Sequence, residues 1–137
     1  MTSEPTSATN EYTIVIATRG EGDEKEFLMV RHRERGWELP GGKFEGKEGP
    51  VHCGLREFRE ETGHTLQEPK FIMKMEKPNG LAWVFEGKLG PKVAEVEERE
   101  AIENMRWFRR LPENDLGFPD DPYEEMGQLT GIRFRGS

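Results

Sequence analysis

The chain is poor in cysteine and in long apolar segments. Its 137 residues contain one cysteine, Cys53, so no disulfide can form within the chain. No apolar run approaches the roughly 20 residues that a membrane-spanning helix needs. The first ten residues, MTSEPTSATN, lack the basic-then-apolar order of a secretion signal. We therefore expect no membrane partner and a cytoplasmic protein, in a compartment that keeps thiols reduced.

Clustered positive charge is also lacking. Lys and Arg number 20 against 27 Asp and Glu, which gives a formal net charge of −7 at pH 7. Nonspecific binding to nucleic acid depends on clustered Lys and Arg, so we expect no stable nucleic-acid partner. An anionic small substrate remains compatible with this charge if metal ions mediate the contact.

The chain has no internal repeat, low-complexity segment or linker. Its length suffices for one domain with a core and is too short for two. Residues 1–10 are polar and rich in Ser and Thr, and we expect them to be disordered, with one α/β domain over 11–137. We predict strands at 12–17, 27–30, 71–75, 81–85 and 105–108, and helices at 50–62 and 123–129. The first two strands are predicted to pair, and the third and fourth to form a hairpin across an Asn-Gly turn.

Three glutamates share one side of the predicted helix 50–62. Glu57, Glu60 and Glu61 have the i, i+3, i+4 spacing that brings side chains together. Carboxylates held side by side repel one another unless a cation neutralises them. Such a group of hard oxygen ligands suits Mg²⁺ or Mn²⁺, and these ions suit phosphate chemistry. A solvated acidic face without a ligand is the alternative.

The same helix has an apolar stripe and clear end signals. The stripe lies roughly opposite the glutamates, so we predict a core face and an acidic surface face. Pro50 suits the first turn, and Gly63 suits the end of the helix. The residues of the stripe are Val51, Leu55, Phe58 and Thr62.

The spacing around this helix resembles the Nudix box. From Gly42 onward the chain follows G-x5-E-x7-R-E-U-x-E-E-x-G-U, where U is a bulky apolar residue, at every position but the last. His64 stands at that last position. The resemblance continues upstream in the segment 37–43, WELPGGK, and with weaker motifs covers about 12–129. It implies a Nudix fold, a single domain with a mixed β-sheet sandwiched between α-helices.

Carried over by position, the resemblance implies a metal site that binds Mg²⁺, with Mn²⁺ as a second choice. Glu57 is also a candidate base that orients or deprotonates the attacking water. The implied ligands are the carbonyl oxygen of Gly42 and the carboxylates of Glu57, Glu60 and Glu61.

There are two further catalytic candidates. Arg56 lies beside these ligands, and a glutamate of the stretch 95–103 lies outside the helix. In the family pattern Arg56 holds the acidic cluster together by ion pairs, here with Glu48 and Glu60. Many family members add a glutamate from a loop before a late strand, and the acidic stretch 95–103 occupies that place. Spacing to the strand at 105–108 favours Glu100 as this metal ligand and catalytic residue, with Glu98 as second choice.

Two segments are candidates for substrate binding. Arg31 starts an alternating basic run, RHRER, and with Lys43 could contact phosphates. The segment 118–123, FPDDPY, is similar to one in the animal oxidised-purine nucleoside triphosphatases of the same superfamily. That similarity implies that Asp120 and Asp121 hydrogen-bond the purine edge and that Phe118 stacks on the base. A proline-rich turn with an aspartate capping the next helix is the alternative.

These features predict a Mg²⁺-dependent pyrophosphohydrolase of a nucleoside triphosphate, such as 8-oxo-dGTP, acting in sanitation of the nucleotide pool. The same chemistry on RNA 5′ ends, dinucleoside polyphosphates or nucleotide sugars is one alternative. A noncatalytic nucleotide-binding module is another, although such modules usually lose glutamates of the box. We expect a monomer or a homodimer.

Overall fold

The computed structural model describes residues 10–136 of the chain. The segment predicted to be disordered therefore lies, except for its last residue, outside the described residues. Within 10–136, no helix is long and apolar enough to cross a membrane. The strands are β1 (Glu11–Arg19), β2 (Glu26–His32), β3 (Gly36–Glu38), β4 (Gly41–Lys43), β5 (His64–Lys77), β6 (Gly80–Lys92) and β7 (Ile102–Phe108), and the helices are α1 (Pro50–Thr62) and α2 (Tyr123–Thr130).

Helix α1 has the bounds that its end signals predict. Gly63 follows it in the left-handed conformation, with φ of 79°, and donates its N–H to the carbonyl oxygen of Arg59. Strand β5 begins directly at His64, the position that departs from the box pattern. The Nδ1 atom of His64 lies 2.8 Å from the carbonyl oxygen of Gly90 on β6. A polar contact therefore serves where an aliphatic side chain is usual.

The seven strands form one mixed sheet around β1. Strand β1 runs parallel to β6, and the predicted hairpin of β5 and β6 is present but longer than predicted. The predicted pairing of β1 with β2 is confirmed only at one end, where Thr18 opposes Phe27 and Arg19 opposes Glu26. Beyond that point β2 continues between β3 and β7, whereas β1 continues between β4 and β6. The sheet therefore splits into two halves.

Strands β3 and β4 are absent from the sequence prediction. Each has three residues and lies in a segment whose glycines and proline favour turns. Their backbones pair with longer strands, Val30 opposite Glu38 and Tyr12 opposite Lys43. Partners distant along the chain therefore make these strands, and a local hydrophobic pattern cannot show them.

The two helices cover opposite faces of the sheet. Successive side chains of a strand point to opposite faces. In β1, Val15 belongs to the core cluster that contains Phe58 of α1. Its neighbour Ile16 belongs to the larger cluster that contains Met126 of α2. The predicted mixed sheet between helices is thus confirmed.

The prediction that the acidic face of α1 lies at the surface is wrong for Glu57 and Glu61. Glu57 and Glu61 are only 8% and 5% exposed, whereas Val51 of the apolar stripe is 39% exposed. The prediction assumed that charged side chains turn to water. Instead, β4 and the segment between β6 and β7 pack against the acidic side of the helix.

Candidate functional site

Three carboxylates lie together at the acidic side of α1. One oxygen from each of Glu57, Glu61 and Glu98 lies within 4.8 Å of the other two. Helix α1 supplies the first two residues, one turn apart. The segment between β6 and β7 supplies the third, because the N–H groups of Glu97 and Glu98 donate to the carbonyl oxygen of Glu60 at 2.9 and 3.4 Å. The last turn of α1 thereby holds this segment against the helix.

The pKa values of all three carboxyl groups are raised. Burial is the largest cause for each, and neighbouring carboxylates add to it. The pKa of Glu57 is about 7, and that of Glu61 lies well above its ordinary value. Negative charge is therefore disfavoured here without a cation, which is what a divalent-ion site is expected to show.

The backbone of Gly42 lies directly against Glu57. A Cβ atom at position 42 would overlap the Glu57 carboxylate, so the approach requires glycine. The N–H of Gly41 donates to Oε1 of Glu61 at 2.9 Å. The carbonyl oxygen of Gly42 lies 3.5 Å from Sγ of Cys53. The glycine pair thus joins strand β4 to the carboxylate group.

Arg56 carries the balancing positive charge. Its guanidinium donates to Glu48 at 2.7 Å, to Glu60 at 3.1 Å and to Glu57 at 3.2 Å. The expected ion pairs with Glu48 and Glu60 are therefore present. The Arg56 hydrogen bond is the main reason why the pKa of Glu48 falls to about 2. Glu60, a predicted metal ligand, faces Arg56 and lies outside the group of three carboxylates.

The structure favours Glu98 where the sequence favoured Glu100. Glu100 is exposed and outside the carboxylate group, whereas Glu98 is half-buried within it. A tight turn separates them, closed by the N–H of Ile102 donating to the carbonyl oxygen of Glu98 at 2.8 Å. Spacing along an acidic run cannot show which of its glutamates such a turn directs inward.

Arg33 holds the segment that carries Glu98. Its Nε donates to the carbonyl oxygen of Glu100 at 2.9 Å. Its NH2 group donates to the carbonyl oxygen of Arg99 at 3.4 Å. The backbone N–H of Arg33 also donates to Ala101 at 2.7 Å. The sequence does not indicate this role, since an alternating basic run suggests contacts with phosphates.

Arg31, predicted to contact phosphates, is paired within the protein. Its guanidinium forms ion pairs with Glu103 and, at 2.6 Å, with Asp115. The alternating run does not form one strand face, because β2 ends at His32 and a turn follows. Arg35 instead pairs with Glu38 at 2.8 Å and lines the cleft described next.

A cleft of about 180 Å³ lies beside the carboxylate group. Gly41 and Gly42 line it and also contact the glutamates, so the two features adjoin. The predicted Lys43 and Phe118 are among its walls, as is Tyr12 of β1. The cleft therefore combines apolar rings with a few polar groups, as sites for small molecules do.

The two predicted base-contacting aspartates lie in different places. Asp121 lines the cleft, and its Oδ1 is 2.8 Å from Nζ of Lys77. Asp120 is exposed and outside the cleft lining, so its predicted contact with a base is not supported. The capping alternative is wrong, because Pro122 is the N-cap of α2 and no side chain caps that helix.

Phe118 is fixed at the cleft by its backbone and by cations. Its carbonyl oxygen accepts a hydrogen bond from the Tyr123 hydroxyl at 2.9 Å. The charged groups of Lys77 and Arg35 lie 4.3 and 5.7 Å from its ring centroid. The ring is therefore part of the cleft wall and already in contact with cations.

The NUDIX domain family model matches residues 10–121. YtkD of Bacillus subtilis, provisionally named an 8-oxo-dGTP diphosphatase, is 40% identical over 47 residues, which are 34% of this chain and 30% of YtkD. The CMP-5′-(N-acetyl-N-hydroxy-3-aminopropyl)phosphonate hydrolase of Streptomyces rubellomurinus is 31% identical over 65 residues, 43% of this chain and 32% of that protein. The chain thus spans about a third of the length of these relatives.

Solved structures show the same fold. A mutant of the Bacillus subtilis pyrophosphohydrolase BsRppH aligns with a TM-score of 0.69 and 22% identity, over 96% of this chain and 89% of that one. A NUDIX hydrolase from Nitrosomonas europaea aligns with a TM-score of 0.69 and 20% identity, over 93% and 76% of the two chains. At these identities the likeness concerns the fold alone.

Proposed function

This chain belongs to the Nudix family, and we propose that it is a divalent-cation-dependent pyrophosphohydrolase of nucleoside triphosphates. The products would be a nucleoside monophosphate and pyrophosphate. One observation carries the proposal: the carboxylates of Glu57, Glu61 and Glu98 lie together beside a cleft that combines apolar rings with a few polar groups, as sites for small molecules do. An acidic group without an adjoining cleft would not support it.

The residues of the site fit a hard divalent cation. The oxygens of Glu57, Glu61 and Glu98 are close enough to share one ion, and such ions prefer oxygen ligands. We assign these three as ligands of Mg²⁺, with Mn²⁺ as the alternative ion and with Glu60 and the Gly42 carbonyl as further candidates. When bound, the ion neutralises phosphate charge and makes water more acidic.

Glu57 is the candidate base. Arg56 and the backbone of Gly42 restrict its carboxylate on two sides, so its orientation is set before a substrate binds. Burial and neighbouring charge raise the pKa of its carboxyl group above the ordinary value, and a carboxylate of higher pKa accepts a proton from water more readily. Arg56 contacts no substrate in this proposal and positions the glutamates.

The cleft would hold the nucleoside, with phosphates towards the carboxylates. Lys43 follows Gly42 in β4 and lines the cleft, so its ammonium is the candidate contact for phosphate. A finer proposal is a preference for oxidised purines such as 8-oxo-dGTP, and hence a part in nucleotide-pool sanitation in the cytoplasm. The segment 118–123 and the partial similarity to YtkD support it.

A substrate panel tests the proposal. Deoxynucleoside triphosphates, 8-oxo-dGTP, a dinucleoside polyphosphate, a nucleotide sugar and a 5′-triphosphorylated RNA are incubated with Mg²⁺ or Mn²⁺, and the released phosphates are identified. We expect pyrophosphate from the triphosphates. Preferred turnover of RNA or of a sugar nucleotide would change the substrate class. Nucleotide binding without any turnover would indicate a noncatalytic module.

A further inference from the structure

Residues 118–121 form a wall of the cleft without belonging to a helix or strand. Phe118 and Asp121 of this wall line the cleft. The connection between β7 and α2, which contains the wall, has one bridge to a strand, where Leu116 lies beside Trp37. That bridge comes before the wall begins. The position of the wall therefore depends on side chains from other parts of the chain.

Two side chains bind the backbone of the wall. The Tyr123 hydroxyl donates to the carbonyl oxygen of Phe118 at 2.9 Å. The NH2 group of Arg135 donates to the carbonyl oxygen of Pro119 at 3.1 Å. The Arg135 guanidinium also lies 5.3 Å from the centroid of the Tyr123 ring. Among the described residues Arg135 is not part of the cleft lining, so it can affect a ligand only through these neighbours.

The segment 131–135, which carries Arg135, is fixed to the core. Phe134 is 2% exposed, and its ring centroid lies 5.6 Å from that of Tyr123. The carbonyl oxygen of Phe134 accepts a hydrogen bond of 2.7 Å from the N–H of Leu111. Arg135 follows this anchored residue directly. The backbone from which its side chain reaches the wall therefore has a defined position.

We propose, on the basis of the proposed function, that Arg135 is a positioning residue for the nucleoside. It holds the wall 118–121 in the place that accepts a ligand, so that less of the wall has to be ordered when a nucleotide binds. A binding site that is ordered in advance binds its ligand more tightly. Because Arg135 holds the backbone of the wall and lies outside the cleft, its effect is the same for every base.

Arg133 offers a matched comparison within the same segment. Its side chain is 56% exposed and pairs with Asp23 at 3.2 Å, and neither residue lines the cleft. Arg133→Met therefore removes an arginine two positions away without changing a contact of the wall. If the segment needed positive charge only for stability, Arg133→Met and Arg135→Met would have similar effects.

The first test is the kinetics of Arg135→Met, which removes the donor and keeps an unbranched side chain beside Tyr123. KM should rise about 5-fold, the scale of one lost hydrogen bond, while kcat stays within about 2-fold of the wild-type value. This rise should be equal for each deoxynucleoside triphosphate that the wild type hydrolyses. Arg135→Lys can still donate to the Pro119 carbonyl and should keep most of the wild-type KM.

Two further measurements do not depend on turnover. Calorimetric binding of the deoxynucleoside monophosphates should weaken by the same factor in Arg135→Met. The amides of Asp121 and Tyr123, which donate to the carbonyl oxygens of Phe118 and Asp121 at 3.3 and 2.8 Å, should exchange hydrogen faster because the wall opens more easily. Mn²⁺ affinity and melting temperature should stay nearly constant. Arg133→Met should match the wild type in all these measurements.

The outcomes separate this inference from the proposed function. An unchanged KM and unchanged monophosphate binding in Arg135→Met would overturn the positioning role, as would an equal loss in Arg133→Met. A loss confined to one base would overturn it as well. Absence of turnover with every triphosphate in the wild type would overturn the proposed function, while monophosphate binding and hydrogen exchange would still decide the role of Arg135.

Discussion

The carbonyl oxygen of Glu60 accepts a hydrogen bond of 2.9 Å from the backbone N–H of Glu97. The carbonyl groups in the last turn of a helix lack partners within the helix, so they are free to bind another segment. Here that segment is the acidic stretch before β7. The contact brings one more carboxylate to a helix that already holds several.

Glu57→Gln and Glu61→Gln should each lower turnover by on the order of 10²-fold or more, because each removes a charge from the proposed ion site. Each should also keep or raise the melting temperature of the metal-free protein, since carboxylate repulsion falls. Calorimetry should show weaker Mn²⁺ binding. Glu113→Gln is the control, at an exposed side chain that forms no ion pair within the described residues. Wild-type turnover at saturating Mg²⁺ in either variant would remove that residue from the metal site.

Glu98→Gln should reduce turnover and Mn²⁺ affinity far more than Glu100→Gln. The two variants should differ because Glu98 lies within the group of three carboxylates and Glu100 lies outside it. Steady-state rates over a Mn²⁺ titration, measured on both variants, provide the comparison. Similar behaviour of the two proteins would exclude this segment from the site.

The metal-free protein should lose stability as pH rises from about 5 to about 8. The pKa of Glu57 is about 7 in the folded protein, against 4.5 for a free glutamate, and Glu61 and Glu98 shift the same way. A group whose pKa is raised on folding stabilises the fold below its unfolded pKa, and this contribution is lost as pH rises through the folded value.

Melting temperatures measured over this pH range, in a chelator and in Mg²⁺, check the predicted loss of stability. The gap between the two curves should widen with pH, because the ion offsets the charge that appears. Glu57→Gln should flatten the chelator curve. A chelator curve that is level or rises over this range in the wild type would show that the three carboxyl groups do not govern it.

Arg33→Met should weaken Mn²⁺ binding by about 10-fold, the lower end of the effect expected when a group that holds a ligand in place is removed. The arginine holds the backbone of residues 99–101 and does not reach the ion. Hydrogen exchange at the amides of Ala101 and Ile102 should speed up in the metal-free variant, while the urea midpoint stays nearly constant. Unchanged exchange and unchanged affinity together would show that Glu98 is held without Arg33.

Arg109→Met is the matched control for this experiment. The side chains of Arg33 and Arg109 are 55% and 56% exposed, and each forms an ion pair with one glutamate. Arg109 makes no contact with the segment 99–101 in the described part of the chain. Its loss should change neither Mn²⁺ affinity nor local exchange.

Much of the fold could be predicted because its signals are local. Helix α1 begins at a proline and ends before a glycine, and the longer strands show runs of apolar residues. Strands β3 and β4 could not be predicted, because three residues each hold their conformation only through backbone pairing with β2 and β1. Burial of Glu57 and Glu61 also contradicts the ordinary preference of charged side chains for water.

The sequence by itself determined the family and the helix that carries Glu57, Glu60 and Glu61, because helical spacing acts over a few residues. Only the tertiary structure decided that Glu98 joins this helix and that Asp121, beside Lys77, lines the cleft while its neighbour Asp120 does not. Those choices depend on how turns direct adjacent side chains and on contacts between segments far apart in the chain. Neither property can be inferred from the spacing of residues along the chain.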